Sequence, residues 1–189
     1  MRYVVALTGA SGSVYGVRLL EALHSVSHLE VHLLISKWGE YTLTFETGLS
    51  TADLQHLVFK IHSFDDMSAD VSSGSFVTKG MIVVPCSMKT LAAIAHGLSL
   101  DLISRAADVT LKERRQLILV PRETPLSTVH LENMLSLSRL GVDIIPPMPA
   151  FYHHPKSIDD IVNHTVDRIL DRLGLEGQRS SRWGEDDAR

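Results

Sequence analysis

The chain has one cysteine, Cys86, so no internal disulfide framework can hold it and its stability must come from a buried core. No unbroken apolar span of membrane length and no basic-then-apolar leader occurs, which makes the cytoplasm the expected compartment and membrane insertion unexpected. An excess of basic residues is also missing: 18 Lys and Arg stand against 22 Asp and Glu, a net charge of −4. That balance removes the broad electrostatic footprint of a nucleic-acid-binding protein and favours a small anion over a polymer as partner. Internal repeats, low-complexity tracts and convincing domain linkers are absent as well. Among metal motifs, His130-Leu131-Glu132 is not H-E-x-x-H, and the adjacent His153 and His154 lack the i,i+4 spacing of a helical chelate, so no metal is expected.

What is present is an alternation. The 189 residues, 44% of them hydrophobic, suffice for one domain with a full core. Apolar runs predict strands at Tyr3–Leu7, Val31–Ile35, Met81–Val84, Gln116–Val120 and Val142–Ile145. Helix-period segments lie between and after them, at Val14–Ser25, Trp38–Thr47, Met88–His96, Leu100–Lys112, Thr128–Leu140 and Ile158–Leu173, two of them followed directly or nearly so by Gly141 and Gly174. Near-continuous Val, Ile and Leu strands separated by helices predict an α/β fold: a central parallel sheet covered on both faces, three layers in all. We expect one domain over residues 1–175 and a polar C-terminal tail over 176–189, in which Trp183 would dock on a neighbouring subunit. The aperiodic segment Asp65–Ser75 reads as a long loop, a lid or a binding loop. Its Asp65, Asp66 and Asp70 read as solubilising residues.

The stretch VVALTGASGSVYGVRLL, Val4 to Leu20, joins a strand, a small-residue turn and a helix start, an arrangement that gathers unpaired N–H groups and a helix dipole at one spot. Its glycines, Gly9, Gly12 and Gly16, do not have the dinucleotide spacing, and no Gly-Lys-Ser/Thr follows as in a triphosphate loop. Two readings stay open: a tight turn that only packs helix on strand, or a site for one phosphate with Ser11 and Ser13 as added donors. Ligands of open parallel sheets bind beyond the carboxyl ends of the strands. The predicted strand ends carry Thr8-Gly9-Ala10-Ser11, Ser36-Lys37, Cys86-Ser87-Met88-Lys89-Thr90 and Arg122-Glu123-Thr124, a concentration of polar chemistry on one edge.

Within that set, Arg122 offers a fixed fork for phosphate and Glu123 a carboxylate able to hold a proton, unless the two form a surface ion pair. Ser87 can cap a helix while leaving other N–H groups free. Cys86 beside it reads as a small buried hydrophobe rather than a nucleophile. Arg105 and Lys112 fall about two turns apart on roughly one helix face, and Arg168 sits mid-helix among alternating charges, where solvated positions are the ordinary outcome.

Taken in order, TGASGSVYGVRLL, LISK, FETG, SSGSF, VVPCSMKTLAAIAHG, RAADVTLKERRQLILVPRETPLS, HLENM, PAFYHHP and RWGE resemble the UbiX/Pad1 flavin prenyltransferases across almost the whole chain. The resemblance implies a flavodoxin-like, Rossmann-like subunit, a homododecamer with FMN at subunit interfaces, and transfer of a dimethylallyl group from dimethylallyl monophosphate to N5 and C6 of reduced FMN. The product, prenylated FMN, would serve a UbiD-type decarboxylase. By position, Gly9, Ala10, Ser11, Ser36, Ser87, Met88, Lys89, Thr90 and Arg122 match the family's FMN contacts. Tyr152 and Arg168 match its substrate-phosphate contacts, joined by Lys112 and Arg105. Glu123, Ser11, Lys112 and Glu46 match its catalytic positions, with no metal. Asp101 departs from the pattern, which has Asn there. The alternatives are an FMN-dependent aromatic acid decarboxylase subunit and a non-catalytic flavin carrier.

Overall fold

The computed structural model describes residues 1–175, so the expected tail and Trp183 lie outside the described residues. These residues fall into two compact units, the first spanning Met1–Pro146 and the second beginning at Pro147. In the first, six strands form one parallel sheet: β1 (Arg2–Leu7), β2 (Glu30–Ile35), β3 (Lys60–His62), β4 (Gly80–Cys86), β5 (Gln116–Pro121) and β6 (Asp143–Ile144), in the spatial order β3-β2-β1-β4-β5-β6. Five helices belong to the same unit: α1 (Ser13–His24), α2 (Lys37–Thr47), α3 (Met88–Ala95), α4 (Leu102–Lys112) and α5 (Thr128–Arg139). The second unit holds α6 (Ile158–Arg172), whose buried positions Val162, Val166, Ile169 and Leu170 recur at helical spacing. Among the described residues no helix is long and apolar enough to cross a membrane.

Strand periodicity divides the sheet's side chains between two faces. Val4, Ala6, Met81, Val83, Leu117 and Leu119 point into one core with Leu91 and Ile94 of α3, Leu102 and Ala106 of α4, and Leu137 of α5. Val5, Leu7, Ile82 and Ile118 alternate with them and are equally inaccessible, and α1 comes down on Leu7. The close approach of α1 depends on Gly16, where a Cβ would stand 2.8 Å from the Val84 carbonyl and 3.0 Å from Leu7 Cγ.

The strand β3 is not evident in the sequence, and a short 3-10 turn at Ala52–Leu57 precedes it. The segment Asp65–Ser75 is a fastened loop rather than a lid. Arg105 donates to the Ser72 carbonyl, Arg115 donates to those of Gly74 and Phe76, and Val71 is buried. Its carboxylates are engaged separately, Asp65 with Lys37, Asp70 with Lys60 and Asp66 with Ser68.

Two histidines lie inside the sheet. His32 on β2 and His62 on β3 are 2% and 5% exposed and share a hydrogen bond of 2.9 Å between Nδ1 and Nε2. Burial, reinforced by the charge of His62, pushes His32 down to about 4.

Two stability predictions arise from this packing. Gly16→Ala removes a helix-disfavouring residue, yet the clash with Val84 and Leu7 outweighs that gain, and urea unfolding is expected to show a net loss of about 1–3 kcal/mol. For His32, the folded pKa lies below the unfolded one, so its contribution is present above about pH 6.5 and is lost as pH falls toward 4. Melting temperature should therefore drop from pH 7 to pH 5 more steeply in the wild type than in His32→Gln.

Candidate active site

The site is set by one hydroxyl. Thr8, just past β1, donates from Oγ1 to the Pro85 carbonyl at 2.7 Å and accepts from the Ser87 N–H at 2.8 Å. It thereby fastens the carboxyl end of β1 to that of β4, the two neighbouring strands from which the connections run to opposite sides of the sheet. A crevice opens at such a switch point.

The first turn does hold an anion, and the anion is part of the chain. Gly12, in a left-handed conformation with φ 113°, ends the turn, and the Glu46 carboxylate from α2 accepts from the Gly12 and Ser13 N–H groups at 2.9 and 2.8 Å. Burial would raise the Glu46 pKa, but hydrogen bonds from the Ser11 side chain and these two N–H groups prevail and hold the carboxyl below its ordinary range. Two backbone donors of this turn, the Gly12 and Ser13 N–H groups, are thus engaged by Glu46. This also brings the sequence-assigned Glu46 and Ser11 together.

The open helix start is that of α3. Ser87 caps it by accepting from the Thr90 N–H and donates to the Thr90 hydroxyl, while the N–H groups of Met88 and Lys89 have no intrahelical acceptor. Beside it lies a cleft of about 390 Å³, within the range of small-molecule sites. Five sequence-assigned residues line it: Gly9, Ser36, Ser87, Lys89 and Thr90. Trp38 and Phe64 supply aromatic walls, and Lys37 and Asp101 complete the lining. Gly9 is required here, because a Cβ would stand 2.4 Å from that of Trp38. Ser36 caps α2 through the Gly39 N–H, and Asp101 caps α4 through the Ser104 N–H. Asp101 therefore performs a task open equally to Asn. Ala10 is buried and Met88 half-buried at the same edge.

Other assigned residues are more dispersed. The Arg122 N–H bonds the Cys86 carbonyl, which holds the end of β5 against β4, and Arg122 and Glu123 are exposed. Glu123 accepts from the Thr124 N–H at 3.0 Å. Cys86 is fully buried and burial drives its thiol pKa far up, so it stays protonated and serves as core. Arg105 is held by the Ser72 carbonyl and by Asp108 at 2.9 Å. Lys112 pairs with Glu113 at the far end of α4, roughly 16 Å along the axis from Asp101 at 1.5 Å per residue. It stands at the amino edge of the sheet beside Gly74, where a Cβ would lie 2.8 Å from its Nζ. Lys112 is therefore not brought to its own chain's cleft.

In the second unit, Tyr152 meets α6 at His164. The Tyr152 hydroxyl lies 2.8 Å from His164 Nε2, and Arg168 is one turn further along the helix, exposed and 3.4 Å from Asp171. Reading the sequence residue by residue missed Trp38, Phe64 and His164. Trp38 alone carried a usable signal, an aromatic residue directly after a strand-end Ser-Lys.

The Glu46 contact generates a stability prediction. Glu46→Gln keeps the shape but weakens the acceptor, and solvent screening at this exposed helix end limits the expected cost to about 1 kcal/mol at pH 7. Because the folded pKa is depressed, the difference should shrink as pH falls below the ordinary carboxyl value of 4.5 and on through the folded one, which paired urea titrations at pH 7 and pH 3.5 would measure.

With this geometry in place, known proteins give a consistent comparison. A family model described as Flavoprotein matches residues 1–170. A protein of Streptomyces sp. (strain D7) named as a probable UbiX-like flavin prenyltransferase is 55% identical over 97% of this chain and 92% of its own length. A dodecameric FMN-dependent UbiX-like decarboxylase from Escherichia coli O157:H7 superposes with a TM-score of 0.95 at 55% identity, covering 97% of this chain and 99% of that one. The UbiX protein AnUbiX (PadA1), solved with FMN and dimethylallyl pyrophosphate, gives 0.94 at 52% identity with 96% of both chains covered. Fold and sequence agree, and the chain belongs to the UbiX-like flavin prenyltransferase family of flavoproteins.

Proposed function

We propose that the protein joins the dimethylallyl group of dimethylallyl monophosphate to N5 and C6 of reduced FMN, in the cytoplasm, and passes prenylated FMN to a UbiD-type decarboxylase. The observation that carries this reading is the cleft at the carboxyl edge, where Gly9, Ser36, Ser87, Lys89 and Thr90 meet around one open helix start. Its donor set fits FMN. The Met88 and Lys89 N–H groups, the Lys89 ammonium and the hydroxyls of Ser36, Ser87 and Thr90 suit a phosphate monoester, and Trp38 and Phe64 suit a flat ring.

Reduced FMN supplies the nucleophilic ring positions; the remaining chemistry belongs to side chains. As the allylic C–O bond lengthens, negative charge collects on the departing phosphate. Donors from Tyr152, Arg168, Arg105 and Lys112 then stabilise the transition state more than the ground state. We assign Glu123 to proton handling, first at the leaving phosphate and then at ring closure, with Ser11 as relay.

Lys112 reaches a cleft only across a contact between copies, since it stands at the opposite sheet edge of its own chain. A homo-oligomer, a dodecamer as in the E. coli O157:H7 relative, is thus part of the proposal. It is supported by the uncovered stripe of Trp38, Tyr41 and Phe45 on α2, with Trp38 edge-on to Tyr41 and Tyr41 stacked on Phe45.

Anaerobic incubation with reduced FMN and dimethylallyl monophosphate, followed by mass spectrometry of the extracted flavin, tests the reading. A gain of one dimethylallyl unit is expected, and unmodified FMN would favour a carrier or a direct decarboxylase. Glu123→Gln should lose about 10²–10⁴-fold in turnover while binding FMN normally. Full turnover in that variant would remove Glu123 from its assigned role.

A further inference from the structure

His164 belongs to no motif that pointed to function, yet it is within hydrogen-bond distance of the Tyr152 phenol. Its Nε2 lies 2.8 Å from the Tyr152 oxygen, and the His153 ring stacks on it at 4.6 Å with an interplanar angle of 7°. Tyr152 meets both imidazoles edge-on, at 5.5 and 5.6 Å. His164 and Arg168 are four residues apart on α6 and so share a face. Three rings thus form one cluster, with Arg168 one turn along the helix from His164.

A phenol has one donor. If His164 presents a bare Nε2, the Tyr152 O–H donates to it and only an oxygen lone pair is left for anything else. If Nε2 carries a proton, it donates to the phenol oxygen and the O–H is released toward an anion. The state of His164 therefore sets whether this hydrogen bond uses the Tyr152 O–H or leaves it to another acceptor.

We propose that His164 is the positioning residue of Tyr152: its Nε2–H turns the phenol O–H toward the substrate phosphate, and the imidazole takes up a proton as the dianion binds. This rests on the assignment of Tyr152 and Arg168 to the prenyl phosphate made above. Without ligand, burial and then the charges of His153 and Arg168 hold the His164 pKa below its ordinary value, opposed by Asp167 and Asp171. An arriving dianion shifts the balance toward the charged form, so binding strengthens as pH falls toward the free-state pKa. The second ionisation of the phosphate, near pH 6, acts in every variant alike. A difference between wild type and variant isolates His164.

The test measures KM and kcat for dimethylallyl monophosphate, and FMN affinity, from pH 6 to 9 in wild type, His164→Phe, His164→Gln and Tyr152→Phe. His164→Phe should raise KM about fivefold or more with FMN affinity unchanged, as expected for a hydrogen bond to a charged ligand. His164→Gln should restore most of the affinity at pH 8, because an amide N–H can donate to the phenol, but should lose the wild type's relative gain at low pH. A KM within twofold of wild type in His164→Phe, with Tyr152→Phe impaired, overturns the proposal and leaves the Tyr152 assignment standing. An unimpaired Tyr152→Phe overturns both. Equal loss of FMN and prenyl phosphate binding in His164→Phe would make the residue structural and also overturn the proposal.

Discussion

The hydrogen-bond pair of Thr8 is the constraint on which the site depends. By donating to Pro85 and accepting from Ser87, one hydroxyl fixes the ends of β1 and β4 relative to each other and sets the start of α3 at the mouth of the crevice. A parallel sheet buried on both faces leaves its chemistry only the strand ends. Gly9, Ser36 and Ser87 each follow such an end, so their positions are consequences of the sheet register rather than of local loop structure.

Electrostatics then divides the helix starts into two kinds. That of α1 is satisfied by Glu46, a carboxylate the fold supplies, whereas that of α3 is capped by a neutral serine and keeps its first N–H groups. An incoming phosphate would find no carboxylate capping the second, whereas Glu46 already occupies the first. The same contact ties α2 to the turn after β1, joining two walls of the crevice. Lys112 adds a constraint of another kind, since a cation at the far end of α4 from Asp101 would serve the proposed cleft only between copies.

Much of this was legible in the sequence because the signals were local. The strands β1, β2, β4 and β5 are apolar runs ended by Ser, Thr, Gly or Pro, and the caps Ser36 and Ser87 stand directly before helices. What was not legible depends on distant partners. The Glu46 carboxylate meets a turn more than thirty residues away. The Asp65–Ser75 segment looks free because its polar residues carry no period, yet arginines from α4 and the start of β5 hold its carbonyls. At three residues, with Lys60 exposed, β3 is too short for a strand pattern to register. Helix α4 begins at Leu102 rather than Leu100 because Asp101 takes the cap. His164 was hidden for a related reason, lying twelve residues from Tyr152 on a helix that reads as a solvated face.

The central claim is that the start of α3 receives the phosphate of the flavin. Equilibrium binding of FMN and of riboflavin to the same protein, followed by flavin fluorescence, tests it most directly, because the two ligands differ only in that phosphate. The account predicts that FMN binds about a hundredfold tighter or more, as two charge-assisted hydrogen bonds would give. Equal affinities would contradict it.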